Sequence, residues 1–193
     1  MKSKSFTTMA GWCAVFAGIS GFIYSVSFVV LKNDLLNALF LLLGGLFGII
    51  VMTALYQHLR DTDASYALLA FLFSAGAAAG SLIHGGYDLS NALHPPASLN
   101  VDLPSPIDPR GLLTFGIAAL GLFFFSMLMN KNTAFPRGLS MLGYISAFLM
   151  LVLYLGRLII LQATSLVIVI PALLEGFLVN PIWYIWLGTV LLP

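Results

Sequence analysis

Charge is scarce in this chain. Of its 193 residues, 8 are Lys or Arg, 7 are Asp or Glu, and 60% are hydrophobic. An ordinary soluble domain is about one quarter charged. A soluble chain of this size leaves about 30% of its surface wet, too much to cover with so few polar groups. Soluble enzymes and nucleic-acid binders are therefore excluded, and so is disorder, which needs low hydrophobicity and high net charge. A net charge of +1 leaves no polybasic patch, and no nucleic-acid partner is expected. Cysteine is nearly absent. Cys13 stands alone, so an internal disulfide, dithiol redox chemistry and Cys-type zinc sites are excluded. Alternation of polar and apolar residues, the mark of a membrane β-barrel, is missing too.

What the chain does have is long apolar runs. The charged residues punctuate them. Twenty-seven uncharged residues separate Lys4 from Lys32, 25 separate Asp34 from Arg60, 24 separate Asp63 from Asp88, and 20 separate Arg110 from Lys131. Each run can cross ~30 Å of hydrocarbon as a helix. The 56 residues after Arg137, broken only by Arg157 and Glu175, are the length of two spans. The expected fold is all-α: one polytopic membrane domain over 1–193, a six-transmembrane-helix bundle. Helices are expected near 8–31, 35–58, 64–88, 111–130, 138–162 and 166–191, with Gln162–Ser165 as the last turn. The first run exceeds a signal-peptide core and carries no small-x-small cleavage site, so it reads as a retained span. Pro171 and Pro181 are expected to kink or break the last helix.

Lys and Arg set the orientation. With the N-terminus inside, the cytoplasmic side holds Lys2, Lys4, Arg60, Lys131 and Arg137, and the outer side holds Lys32 and Arg110. The positive-inside rule then places both termini in the cytoplasm. The expected location is a plasma membrane, a bacterial inner membrane above all, because the outer loop 89–110 has no glycosylation sequon. That loop carries Pro95, Pro96, Pro104, Pro106 and Pro109 and no glycine, so it should be stiff.

Three groups of residues could carry chemistry. On the third helix Gly76, Gly80, His84 and Asp88 recur every four residues and share a face. Its small inner part suits close helix packing, as does the pair Gly44 and Gly48. Arg157 and Glu175 are the charged side chains deepest inside expected spans, where an unpaired charge costs roughly 2.5–3.5 kcal/mol. They are expected to meet as an ion pair between the fifth and sixth helices. Tyr24 and Tyr154 fall at similar depth. His84, Asp88, Arg157, Glu175, Tyr24 and Tyr154 are thus the candidate ligand-binding residues of an outward-facing polar pocket, under a lid bearing His94, Asp102 and Asp108. Trp12, Trp183, Tyr184 and Trp186 read as membrane-interface anchors or packing residues.

Sharper chemistries find little footing. No lysine lies within a span to hold retinal, and His58 and His84 lie at opposite depths for a bis-histidine haem. No His-Glu-x-x-His, phosphate loop or nucleophile elbow occurs. His84, Asp88 and His94 or Glu175 could together ligate a metal in an intramembrane hydrolase.

The ending Asn180-Pro181-Ile182-Trp183-Tyr184-Ile185-Trp186-Leu187-Gly188 follows an Arg-bearing fifth helix, and Gly11-Trp12 opens the first span. In these features the chain resembles uncharacterised bacterial six-helix multi-pass membrane families. The resemblance implies six helices in a membrane and no particular activity or cofactor. The expected function is binding or sensing of a small ligand. A structural or accessory subunit of a larger membrane complex is the alternative, and a metal-dependent hydrolase or small transporter stands behind both. Expected partners are the lipid bilayer, a small molecule, and other membrane proteins or a second copy.

Overall fold

A computed structural model describes residues 4–95, 109–160, 162 and 164–193, with side chains described from 115 onward in the fourth helix. The described residues form helices and no strand: α1 Lys4–Leu31, α2 Asp34–Leu59, α3 Ala64–Leu93, α4 Pro109–Lys131, α5 Arg137–Ile159 and α6 Leu166–Leu191. α1, α2, α3, α5 and α6 are long and apolar enough to cross a membrane, and 115–131 of α4 forms a shorter apolar helix.

Local chemistry fixes the ends. Asn33 accepts from the Leu36 N–H at 3.0 Å and caps α2. Asp63 accepts from the Ser65 and Tyr66 N–H groups at 3.1 Å each and caps α3. α3 does not stop at Asp88, as the charge there suggests. It runs one more turn to Leu93, where His94 leaves helical geometry just before Pro95. A charged residue marks where an apolar stretch ends, and a helix can continue past it.

Each helix packs beside its neighbours in sequence, and α6 closes the ring by lying against both α1 and α5. α3 is thus opposite α6. Gly11 abuts Leu192, so the two ends of the chain lie at the same end of the bundle. The Asn132 amide donates to Thr62 Oγ1 at 2.9 Å, tying the α4–α5 turn to the α2–α3 turn at that same end.

Small residues set the spacing. A side chain on Gly188 would meet the Gly11 carbonyl at 2.7 Å, and one on Gly18 would meet the Pro181 carbonyl at 2.8 Å, so α1 and α6 touch backbone to backbone. Between α2 and α3 the contact is made by Gly45, against the Ala78 carbonyl, and by Gly85, against the Leu42 amide. The expected seam is therefore rotated. Gly76 has nothing within 4 Å, and Gly44 meets only Ser20 of α1.

α6 is neither straight α-helix nor broken. Between its prolines, Glu175–Val179 forms a π turn, with the Asn180 N–H reaching the Glu175 carbonyl. Pro181 has no N–H for the Phe177 carbonyl, and its ring crowds the preceding turn; a wider turn relieves that crowding. α1 ends in a second π turn, Ser27–Leu31, whose cap Lys32 takes a left-handed conformation at φ 50°.

Candidate functional site

The π turn decides what α6 turns inward. Two ordinary helical turns take about 7.2 residues, and a π turn takes about one more. Glu175 and Trp183, eight residues apart, therefore share a face toward α5. Trp183 is 1% exposed, so of the two roles expected for it, anchoring or packing, it takes packing. Its indole Nε1 lies against Gly143 of α5, beside Ser126 of α4. Three residues further along α5, Ser146 donates a hydrogen bond from Oγ to Glu175 Oε1.

Glu175 is 5% exposed and is the one buried Asp, Glu, Lys or Arg among the described residues. Its first oxygen is held by Ser146, itself wholly buried. Asn180 approaches the carboxyl from its own helix. Oε2 has no hydrogen-bond partner. From α1, Ser25 presses on Gly176 and Gly21 lies near Asn180 Oδ1. Ser126 Oγ and Trp183 Nε1 are likewise buried without partners. The interior between α1, α4, α5 and α6 thus holds a carboxyl group, two serine hydroxyls and an indole N–H with hydrogen-bonding capacity to spare.

The expected ion pair is not formed. Ser146, which holds Glu175, lies eleven residues before Arg157, about 16 Å along α5. Arg157 is half-buried and has no ion-pair partner among the described residues. Both side chains lie within apolar stretches, but contacts between helices follow register as well as depth. On the far side of the ring, His84 Nε2 and Asp88 Oδ2 are 3.0 Å apart, their side chains 17% and 31% exposed. The structure brings these two together as their spacing suggests. It does not bring them to Glu175, because α3 packs between α2 and α4 and makes no extended contact with α5 or α6 among the described residues. Tyr154 packs its ring against Gly116 of α4, and Tyr24 stacks on Phe28 with ring centroids 6.1 Å apart. Of the expected lid, Asp102 and Asp108 lie outside the described residues, whereas 89–93 belong to α3 and His94 caps it. No three of His, Cys, Asp or Glu gather among the described residues, so the hydrolase trio of His84, Asp88 and Glu175 does not assemble.

Ser146, Ser126 and Asn180 do not stand out in the sequence as site residues, and Trp183 reads there only as an anchor or packing residue. Ser140, Gly143 and Ser146 recur every three residues on α5, a small polar stripe that signals a close neighbour. Nothing in the sequence pairs Glu175 with Trp183, because their alignment depends on the π turn.

No protein-family model matches this chain, and neither the curated proteins nor the solved structures yield a match. The functional reading therefore rests on the site alone.

Proposed function

We propose that this chain is a multi-pass plasma-membrane protein, with both termini cytoplasmic, that binds or senses a small ligand through Glu175 inside its helix bundle. The carrying observation is a carboxyl group 5% exposed with one oxygen held by Ser146 and the other without a partner. Burying such a group unmatched is unfavourable, so a stable fold would replace it with an apolar residue unless it served a purpose. The unsatisfied Ser126 hydroxyl and Trp183 N–H nearby argue the same way. The His84–Asp88 pair is then a separate polar patch on α3 rather than the wall of a common outward pocket.

The membrane setting is supported by five long apolar helices and by exposed apolar side chains such as Ile83, Phe148 and Ile159 around the bundle. The end holding the termini also carries Lys4, Arg60, Lys131 and Arg137. We expect a cysteine at Thr164, at the opposite end, to react with an impermeant thiol reagent in intact cells in a Cys13→Ala background, and one at Lys131 to stay protected. The reverse pattern would invert the topology.

The site reading is tested by thermal unfolding of the detergent-solubilised protein against a panel of small polar solutes and a series of pH values. At least one condition should raise the unfolding temperature of wild type and of His84→Ala but not of Glu175→Gln. A protein indifferent to every condition, or a Glu175→Gln variant that responds like wild type, ends this reading.

A further inference from the structure

We infer that the ligand of the Glu175 site is a proton, held on Oε2 and exchanged with water as the packing of α6 on α5 loosens. This rests on the site reading above and names its ligand.

The groups facing the carboxyl leave it without a cationic partner. The elements packed on the π turn are α1 and α5. α1 has no Lys, Arg, His, Asp or Glu between Lys4 and Lys32. Its ionisable side chains are Cys13, far down the helix, and Tyr24, stacked on Phe28. It offers Ser25 at Gly176. α5 offers Ser146. Its other ionisable groups face elsewhere or sit far off: Tyr144 packs on Phe123, Tyr154 on Gly116, and Arg137 and Arg157 flank the helix near its two ends. On α6 itself Tyr184 lies within electrostatic reach. A carboxylate among hydroxyl, amide and phenol groups has no positive charge to balance it, and its counter-charge must come from outside the chain.

The space decides which counter-charge fits. A hard metal cation takes some six oxygen ligands. Here Oε2 has no partner at all, and Asn180 turns its amide N–H toward the carboxyl while its Oδ1 lies near Gly21 of α1, so no further oxygen ligands gather there. A multi-atom organic cation needs room, yet Ser25 presses on Gly176 from α1, and Ser126 and Trp183 close on Gly143 from the α4 and α6 sides. A proton needs no volume and no further ligands. It sits on Oε2 while Oε1 keeps the Ser146 bond.

Losing that proton would leave a carboxylate whose Oε2 has no partner in the chain, so water must supply one. The π turn is the place for water to enter, since Pro181 supplies no N–H and leaves the carbonyl preceding it by four residues without its usual donor. Proton binding is thereby linked to close packing of α6 on α5, and the bundle responds to pH.

A membrane-soluble carbodiimide tests this with the full-length chain in liposomes. The O–H of a neutral carboxylic acid adds across the carbodiimide C=N bond. Acyl transfer to nitrogen then leaves a stable N-acylurea, with no atom lost. Glu175 should be labelled, as located by peptide mass, with a rate falling about tenfold per pH unit above its midpoint. Sodium or potassium should not protect it. Labelling abolished by sodium at fixed pH would identify a metal-cation site, overturning the proton while sparing the site reading. Absence of labelling at every pH would overturn the proton as well. Infrared difference spectra of wild type keep the test independent of any variant's folding: a carboxylic-acid C=O band should disappear over the pH range in which labelling is lost, and a band unchanged by pH would refute the proposal. If Glu175→Gln also matches wild type in the solute and pH screen, the site reading falls with it.

Discussion

Gly85→Leu should unfold at far lower temperature than wild type in detergent, whereas Gly76→Leu, nine residues earlier on the same helix, should be close to neutral. A Cβ on Gly85 would lie 2.6 Å from the Leu42 amide nitrogen, 2.9 Å from the Ala38 carbonyl and 2.9 Å from the Leu42 Cα. All three are backbone atoms of α2, so no rotamer change can clear them. The helices must separate, and separation undoes the neighbouring contact of Gly45 on the Ala78 carbonyl. Overpacking a well-filled interface costs about 1–3 kcal/mol, and with no side chain able to yield we expect the upper end or an aggregated product. Around Gly76 nothing lies within 4 Å, so a leucine there meets open space. Thermal unfolding of both variants checks the contrast. Equal losses would mean that α3 packs with its Gly76 face inward, as a four-residue glycine spacing suggests from sequence alone.

That contrast shows where sequence was sufficient for the fold and where it was not. Charges at Asp34, Asp63 and Arg137 fall within a residue of observed helix starts, because a charge is costly in an apolar environment and marks its limits. Helix number and order follow from the same punctuation, and the α5–α6 turn from the polar run Gln162–Ser165. Rotation about the helix axis does not. Glycine is abundant here, and a chain whose exposed side chains are as apolar as its core, as Phe28, Ile83 and Phe148 are, has no inside-outside contrast in hydrophobicity by which to orient a face. So Gly76 and Gly85, or Gly44 and Gly45, look alike until the neighbouring helix is in place.

The site was half legible for a related reason. Glu175 stands out because a carboxyl in an apolar helix demands a partner. Depth alone then pointed to Arg157, the other charge in a neighbouring span. The structure surrounds Glu175 with neutral groups only: the Ser146 hydroxyl on Oε1 and the Asn180 side chain nearby, with Oε2 left unpartnered. Serines are too common in membrane helices to be noticed singly. Pro181 hints that the last helix deviates, but whether it bends or takes in an extra residue depends on what packs against it. That extra residue decides between the two roles open to Trp183, anchor or packing, and makes it a core side chain on the same face as Glu175.

The largest coupling in the interior should therefore join Glu175 to Ser146 and leave Arg157 out. Ser146→Val removes the one hydroxyl that donates to Oε1 and leaves a buried carboxyl with neither oxygen held, which costs roughly 1–3 kcal/mol for an unmatched polar group. Glu175→Leu removes the carboxyl and leaves only a small hydroxyl, which can turn back to its own helix carbonyl four residues earlier. The double variant should recover a good part of what Ser146→Val loses, because replacing both members of a buried pair by apolar groups of similar shape is close to neutral. An interaction energy of about 1 kcal/mol or more is expected for this pair in a double-mutant cycle. The cycle of Glu175→Leu with Arg157→Leu should be additive, since about 16 Å of helix separates Arg157 from the Ser146 contact and sites so far apart seldom couple. Thermal unfolding of the six proteins needed, wild type included, reads both cycles at once. A non-additive Arg157 cycle beside an additive Ser146 cycle would restore the ion pair that charge and depth suggest, and would require α6 to sit nearly three turns nearer the Ile159 end of α5.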